Sequence, residues 1–473
     1  MFWEEAFHTV KSTEPEERII MAQARHTTES LLPREPIDSL VDPLKRFLHI
    51  EAASGVVLLV ATAIALTLAN LPTADWFLGI WKTRFTIGLG SFQMDHSLQH
   101  WINDGLMAIF FFVIGLEVKR ELVMGELQDL RKAVLPIAAA LGGMLIPAEV
   151  YLMLQWGEPG ARGWGIPMAT DIAFVVGCLA VLGKRIPGSL RILLLSLAIA
   201  DDIGAILVIA IGYTESLNMT ALALGGLGIA VLPLMIRVGI RSPGIYYALM
   251  VLTWLAFHES GVHATIAGVI FGLMMPARSW ITESRLEAIF SRTRHFLKGD
   301  GWHTSTDRYA MLRQMERAAR KSISPLERHE TELHPWVGFL IMPVFALANA
   351  GVPIQAAAFL DPVALATALG LVVGKPVGIL LFSWLAVKFK LARLPEGVNW
   401  GVILGGGFLA GIGFTMALFI SGLALSGPVL DAAKVGVMAG SALSAVVGMT
   451  LLVIFLPKPS PIVDQHTAMT QPL

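Results

Sequence analysis

The chain has 473 residues, 55% of them hydrophobic and only 15% charged, against about 25% charged in a soluble domain. That composition excludes a soluble core and predicts an all-α polytopic membrane protein, while a formal net charge of -1 offers no basic surface for nucleic acid. The single cysteine, Cys178, lies in an apolar stretch, so neither a disulfide framework nor a multi-cysteine metal site is expected; no cofactor is expected either.

Residues 1–49 read as a polar tail, with His8, Lys11 and the acidic run Glu14 to Glu17 and no early apolar core, so no cleaved signal peptide is expected. A membrane domain follows over 50–456, in which apolar runs give twelve candidate spans. They are Ser54 to Leu71, Trp101 to Glu117, Ala133 to Leu154, Gly163 to Gly183, Ile192 to Tyr213, Met219 to Ile236, Ile245 to Phe257, Gly261 to Met275, His334 to Gly351, Val363 to Val387, Val402 to Leu425 and Val435 to Leu456. The seventh and eighth fall short of the roughly 20 residues a helix needs to cross a bilayer. Between the first two spans, Phe85-Thr86-Ile87 and Phe92-Gln93-Met94 flank a glycine turn, which predicts an external β-hairpin within Trp81 to Asp95. The insert 277–333 has Leu286, Ile289 and Phe290, then Tyr309, Leu312, Met315 and Ala319, at helical spacing. It is read either as amphipathic helices on the inner surface or as a solvated linker. The tail 457–473, with Pro459 and Pro461, has the composition of a disordered segment.

Basic residues test the span count, because Lys and Arg accumulate in cytoplasmic loops. Alternate loops, starting with the leading tail, hold 30 of the chain's 35; the others hold Lys82, Arg84, Arg162 and Lys434, and Lys375 lies inside a span. A wrong count would scramble this asymmetry. Twelve spans with both termini cytoplasmic is the expectation.

Asp201 and Asp202 stand at the centre of the fifth span, with roughly ten helical residues on each side, so both carboxylates fall near the middle of a bilayer about 30 Å thick. A charged residue there costs about 2.5–3.5 kcal/mol on insertion scales, and such groups usually line ion or proton pathways. A pair that merely held helices together would be redundant, since one polar residue serves that purpose. Asp171 in the fourth span and Lys375 in the tenth add to the set. Asp104 lies near the outer end of the second span and Glu117 closes its inner end, while His263 is read as a structural histidine satisfied by a backbone carbonyl. Neighbouring carboxylates in a low dielectric resist being ionised together, so the cluster should hold a proton or a cation. With the hydroxyl of Thr170 they form hard oxygen donors, suited to small ions with tightly held water. A proton and a cation competing for one site is the chemistry of an exchanger, and Lys375 supplies a positive group that can pair with an aspartate and be displaced or deprotonated.

The fourth span carries Gly165, Pro167 and Thr170-Asp171, and the eleventh carries Gly405-Gly406-Gly407, Gly411 and Gly413, so both are candidates for helices broken at mid-membrane. They are the middle members of spans three to five and ten to twelve, which cross in opposite senses, the footprint of an inverted repeat. Asp171 and Lys375 are then placed to neutralise facing helix ends of opposite sign. The alternative is that the glycines serve close helix packing.

Several stretches resemble the NhaA-type sodium/proton antiporters of bacterial inner membranes: Leu106 to Glu121 (LMAIFFFVIGLEVKRE), Pro167 to Phe174 (PMATDIAF), Leu197 to Gly204 (LAIADDIG), Ser260 to Gly268 (SGVHATIAG), Leu333 to Val337 (LHPWV), Phe345 to Val352 (FALANAGV), Gly374 to Gly378 (GKPVG) and Gly411 to Met416 (GIGFTM). This family is among the cases on which the inverted-repeat rule rests, so that rule is not independent support. The resemblance implies that Asp201 and Asp202 bind sodium or lithium in exchange for protons, with Asp171 and Thr170 contributing from the crossing of the broken helices. Lys375 is implied to pair with Asp201 and to take part in proton coupling. More than one proton would enter per sodium exported, making exchange electrogenic. Glu117, Arg120, Glu121, Glu330 and His334 match a cytoplasmic-funnel cluster linked to pH regulation, and the hairpin region matches one through which many members form homodimers.

The leading tail and the insert before Leu333 are longer than in the family members that carry the resemblance, Thr331 stands where a histidine is often found, and the hairpin differs in sequence, so the pH set-point and the dimer do not transfer directly. Two other classes are distinguishable. An intramembrane aspartyl protease carries Tyr-Asp and Gly-x-Gly-Asp followed by Pro-Ala-Leu, whereas the contexts here are Ala-Thr-Asp171 and Ile-Ala-Asp-Asp202; a transporter rather than an enzyme is expected. A cation channel or a sodium-coupled carrier for an organic solute would not exchange protons for sodium.

Overall fold

The structure is a computed structural model that describes residues 51–456 apart from 90–91, 215–216, 241, 299–304 and 355. The tails 1–49 and 457–473 and the hairpin-turn residues Gly90 and Ser91 lie outside the described residues. In chain order the main elements are α1 (Glu51–Asn70), α2 (Ala74–Lys82), β1 (Arg84–Leu89), β2 (Phe92–Ser97), α3 (Leu98–Met124), α4 (Leu130–Gln155), α5 (Pro159–Met168, wound as a 3-10 helix), α6 (Ile172–Leu182), α7 (Gly188–Gly212), α8 (Met219–Val238) and α9 (Pro243–Ser260). There follow α10 (Thr265–Met274), α11 (Glu283–Lys298), α12 (Ser305–Ser322), α13 (Pro325–Asn349), α14 (Pro362–Lys388), α15 (Trp400–Ala410), α16 (Phe414–Ala424) and α17 (Gly427–Phe455).

Among the described residues, eight helices are long and apolar enough to cross a membrane, and the bent pairs α5–α6 and α15–α16 bring the number to as many as ten. The predicted seventh and eighth spans fall on α9 and α10, of 18 and 10 residues, which do not qualify on length and composition. Polar caps set the helix ends: Asp129 accepts from Arg131 N, Asn218 from Thr220 N and Ala221 N, and Asn399 from Val402 N. Ser324 and Glu327 form a reciprocal capping box that starts α13 nine residues earlier than the predicted span. The insert accordingly resolves as two helices, α11 and α12, rather than as a linker.

The hairpin forms as expected, with β1 antiparallel to β2 and Phe85 opposite His96. At the end that joins α2 and α3, the exposed side chains of Arg84 and Asp95 pair at 2.5 Å. Lys434, assigned from sequence to a loop, instead lies buried within α17.

Two seams bring backbones into direct contact. A Cβ on Gly378 of α14 would collide with the carbonyl oxygen of Gly142 on α4, and one on Gly272 of α10 would meet the Phe112 carbonyl oxygen of α3 at 2.5 Å. Small residues at such crossings let membrane helices approach more closely than any side chain permits. At the opposite extreme, every residue of α16 from Phe414 to Ser421 is buried. A helix apolar and buried on all sides belongs to the middle of the bundle, and α16 is one half of a broken pair.

Candidate functional site

Both breaks form where predicted in outline: α5 and α6 meet at 42° around Ala169 to Asp171, and α15 and α16 at 48° around Gly411 to Gly413. The run Gly405-Gly406-Gly407 does not break. It stays helical and makes room for Leu452, Leu194 and Pro376, so its glycines serve packing and the break lies a few residues later. The two breaks cross and hold each other through main chain and side chain. Asp171 N donates to Ile412 O at 2.7 Å, and Thr170 Oγ1 donates to Ala410 O at 2.9 Å.

Four helix ends meet there, and three side chains answer them. Asp171 caps α6, its Oδ1 accepting from Phe174 N at 3.3 Å, while its Oδ2 accepts from Thr415 N at 3.1 Å at the start of α16 and from the Thr415 hydroxyl. One carboxylate thus faces two positive helix ends. The negative end of α15 is met by the Thr170 hydroxyl, and that of α5 by Lys375, whose Nζ donates to the Met168 carbonyl.

Lys375 reaches that position because α14 makes a π turn over Gly370–Gly374 immediately before it. Such a turn adds a residue and re-aims the side chains beyond it. Neighbours press on both of its glycines: a Cβ on Gly370 would meet Pro167, and one on Gly374 would meet Pro147, each at 2.6 Å. The lysine Nζ also pairs with Asp201 Oδ2 at 2.7 Å, and the two side chains are 0% and 1% exposed. Asp201 Oδ1 is buried and makes no hydrogen bond of ordinary geometry among the described residues, with Thr170 the donor that acts on this carboxylate besides Lys375. Asp202, about 100° further round α7, is buried and makes no hydrogen bond or ion pair among the described residues; its charge interacts with those of Asp201, Glu117 and Asp171. The three aspartates do not bring one oxygen each within 4.8 Å of one another.

The funnel residues are partly gathered. Arg120 on α3 pairs with Glu330 on α13 at 2.6 Å, the arginine half exposed and the glutamate nearly buried. Glu121 Oε1 accepts from Ser196 Oγ of α7 at 2.9 Å and from Glu126 N at 3.0 Å. Glu121, Ser196 and Glu126, but not Arg120 or Glu330, border an open cavity of about 900 Å³ that Asp129 and Lys132 also line. Glu126 holds the Lys132 ammonium at 3.0 Å. His334, one turn beyond Glu330, is exposed. His263 Nε2 lies 2.9 Å from the Tyr213 carbonyl, the structural contact expected of it.

Five residues that the structure brings into polar clusters carry no signal in the sequence. Thr415 lay within a quoted motif but carried no charge to draw notice. Buried His329, whose Nδ1 pairs with Tyr247 OH at 2.8 Å beside Glu330, was hidden in the insert. The histidines His96, His100 and His258 converge only in three dimensions.

A family model described as Na+/H+ antiporter 1 matches residues 45–452. The chain is 56% identical over 429 residues to a protein named Na(+)/H(+) antiporter NhaA from Rhodopirellula baltica, covering 91% of this chain and 98% of that protein. It is 53% identical over 425 residues to the protein of the same name from Rhizobium meliloti, covering 90% and 97%. Similarity to Na(+)/H(+) antiporter NhaA 2 of Acidiphilium cryptum is 50% over 421 residues, covering 89% and 94%.

Proposed function

The chain belongs to the Na+/H+ antiporter 1 family, and from that premise we propose that Asp201, Asp202 and Lys375, framed by Asp171 and Thr170 at the helix crossing, are its exchange site. It is a multi-pass sodium/proton antiporter of a bacterial inner membrane. One observation carries the site reading: a fully buried Lys375–Asp201 pair lies beside a second buried carboxylate, Asp202, that makes no ion pair of its own. An entering sodium ion takes oxygens from Asp202 and from Asp201, whose Oδ1 is free to turn to it. Lys375 gives up its hold on Asp201 as that happens. Protons leave both Lys375 and Asp202 while a single sodium ion enters, so each turnover carries net charge. The membrane potential then drives exchange, at about 2.3 kcal/mol per charge per 100 mV.

Lithium fits the same hard oxygens. Asp171 is held by Thr415 and Phe174 N, and we assign it to closing the site as the crossing relaxes. The pH response is assigned to Glu117, Arg120, Glu121, Glu330 and His334, with Glu117 as the link, because its charge acts on Asp202. The loop asymmetry supports cytoplasmic termini, and the exposed hairpin supports a homodimer contact. The test is collapse of an acid-inside gradient in everted vesicles, read by a pH-sensitive dye. Sodium and lithium should collapse it and potassium should not; an equal response to potassium refutes a selective antiporter.

A further inference from the structure

Far from the helix crossing, three imidazoles meet where the hairpin joins the bundle. His96 comes from β2, His100 from the first turn of α3, and His258 from the last turns of α9, and one ring nitrogen from each falls within 4.8 Å of the others. His96 Nε2 and His258 Nε2 are 3.2 Å apart. Two nitrogens bound to one tetrahedral zinc ion at about 2.0–2.1 Å each are separated by about 3.3 Å. Behind them, Asp104 Oδ2 lies 3.3 Å from His258 Nδ1 and 3.4 Å from His100 Nε2, a buried nitrogen that makes no hydrogen bond among the described residues. A carboxylate on the far nitrogen of a histidine fixes its tautomer and presents the near nitrogen to a metal.

Rings stacked merely for packing would not need this convergence. His96 and His100 stack at 4.2 Å, yet His258 stands nearly perpendicular to His96 at 5.0 Å and turns its Nε2 towards it. Packing also fixes the frame: Trp254 Nε1 donates to the Asp104 carbonyl at 3.2 Å, and Trp101 Nε1 donates to the Phe85 carbonyl at 2.8 Å, so β1, α3 and α9 are held in one piece. Imidazole donors suit zinc, copper, nickel or cobalt and do not suit sodium, which favours oxygen.

We propose that His96, His100 and His258 form a binding site for a transition-metal divalent cation, zinc above all, oriented by Asp104 and separate from the sodium site. Three nitrogens hold the ion, the fourth position stays open to water on the hairpin face, and the metal clamps the hairpin to the end of α9. The site does not depend on the exchange mechanism.

The test uses untagged full-length protein in detergent, stripped with a chelator and titrated with cobalt(II), then zinc(II). One cobalt per chain with the intense visible bands of a tetrahedral ion is expected, together with quenching of the Trp101 and Trp254 fluorescence, both reversed by zinc. His96→Gln, His100→Gln and His258→Gln should each abolish the bands, while Asp104→Asn keeps them at about 10–100-fold weaker affinity. Sodium/proton exchange by His96→Gln should match the wild type, since none of these groups touches Asp201 or Asp202. Wild-type protein that shows no tetrahedral bands overturns the proposal without any variant. Equal affinity in the triple His→Gln variant overturns it as well.

Discussion

Two ion pairs of almost equal length have opposite physical character. Lys375 and Asp201 lie 2.7 Å apart with essentially no exposure, whereas Arg120 and Glu330 lie 2.6 Å apart with the glutamate buried but the arginine half in solvent. Exposed pairs contribute about 0–1 kcal/mol and are screened by salt. A buried pair contributes little net stability either, but removing one partner leaves an uncompensated charge that costs about 3–5 kcal/mol. Length therefore does not separate a switch from a modulator; burial does. The pair at the crossing can be broken only by something that replaces the lost charge, which is a task for a cation or a proton, while the pair at the funnel can open and close with ionic strength.

The largest effect should come from Asp202→Asn, which keeps volume and removes charge and proton site together. Exchange should be abolished while insertion and monodispersity persist, because an amide at mid-membrane costs less to insert than a carboxylate. Sodium-dependent gradient collapse at the wild-type rate in that variant would break the contrast at its centre.

Next in size is Lys375→Ala, expected to lower the melting temperature in detergent by an amount corresponding to about 3–5 kcal/mol. Adding Asp201→Asn to the same chain should recover much of that loss. Simple additivity of the two losses would mean that lysine and aspartate act independently.

Thr415→Val tests the frame rather than the pair. It removes one hydroxyl donor to Asp171 at nearly constant volume, and a hydrogen bond to a charged group is worth about 1.5–3 kcal/mol. The expected result is a raised apparent KM for sodium with exchange still present; an unchanged KM would remove Asp171 orientation from the mechanism.

The smallest effect belongs to the rim. Arg120→Gln should cost less stability than Lys375→Ala, because the arginine is half in solvent although Glu330 loses its partner, and it should shift the pH profile of exchange without lowering its maximum. Wild-type protein in high salt should move in the same direction, because screening weakens the attraction that the substitution deletes. A loss as deep as that of Lys375→Ala would erase the distinction between the two pairs.

Legibility in the sequence obeys the same physics. Asp201, Asp202, Asp171 and Lys375 were visible because an ionisable group in an apolar run has no cheap explanation. The breaks were visible through Pro167 and Gly411 to Gly413, whereas Gly405 to Gly407 resembled a break and proved to be packing room. Thr415 gave no signal, since a threonine in an apolar helix is ordinary until a carboxylate 244 residues away is found against it. His96 and His258 are 162 positions apart, and a metal-type cluster assembled across that distance has no local spacing to read. Lys434 misled the loop assignment because a lysine immediately before an apolar run reads as its boundary, yet α17 carries it inside.

The second bond of Lys375, to the Met168 carbonyl, bears on slippage. A lysine that held only Asp201 could swing aside empty-handed, and the carrier could reorient with neither ion aboard. Here the same ammonium also closes the open end of α5, so leaving without a replacement uncovers a carboxylate and a helix terminus at once. With Lys375 and Asp201 as the proposed exchange pair, the unloaded intermediate would be disfavoured twice over, and an idle crossing that would short-circuit the proton gradient would be correspondingly rare.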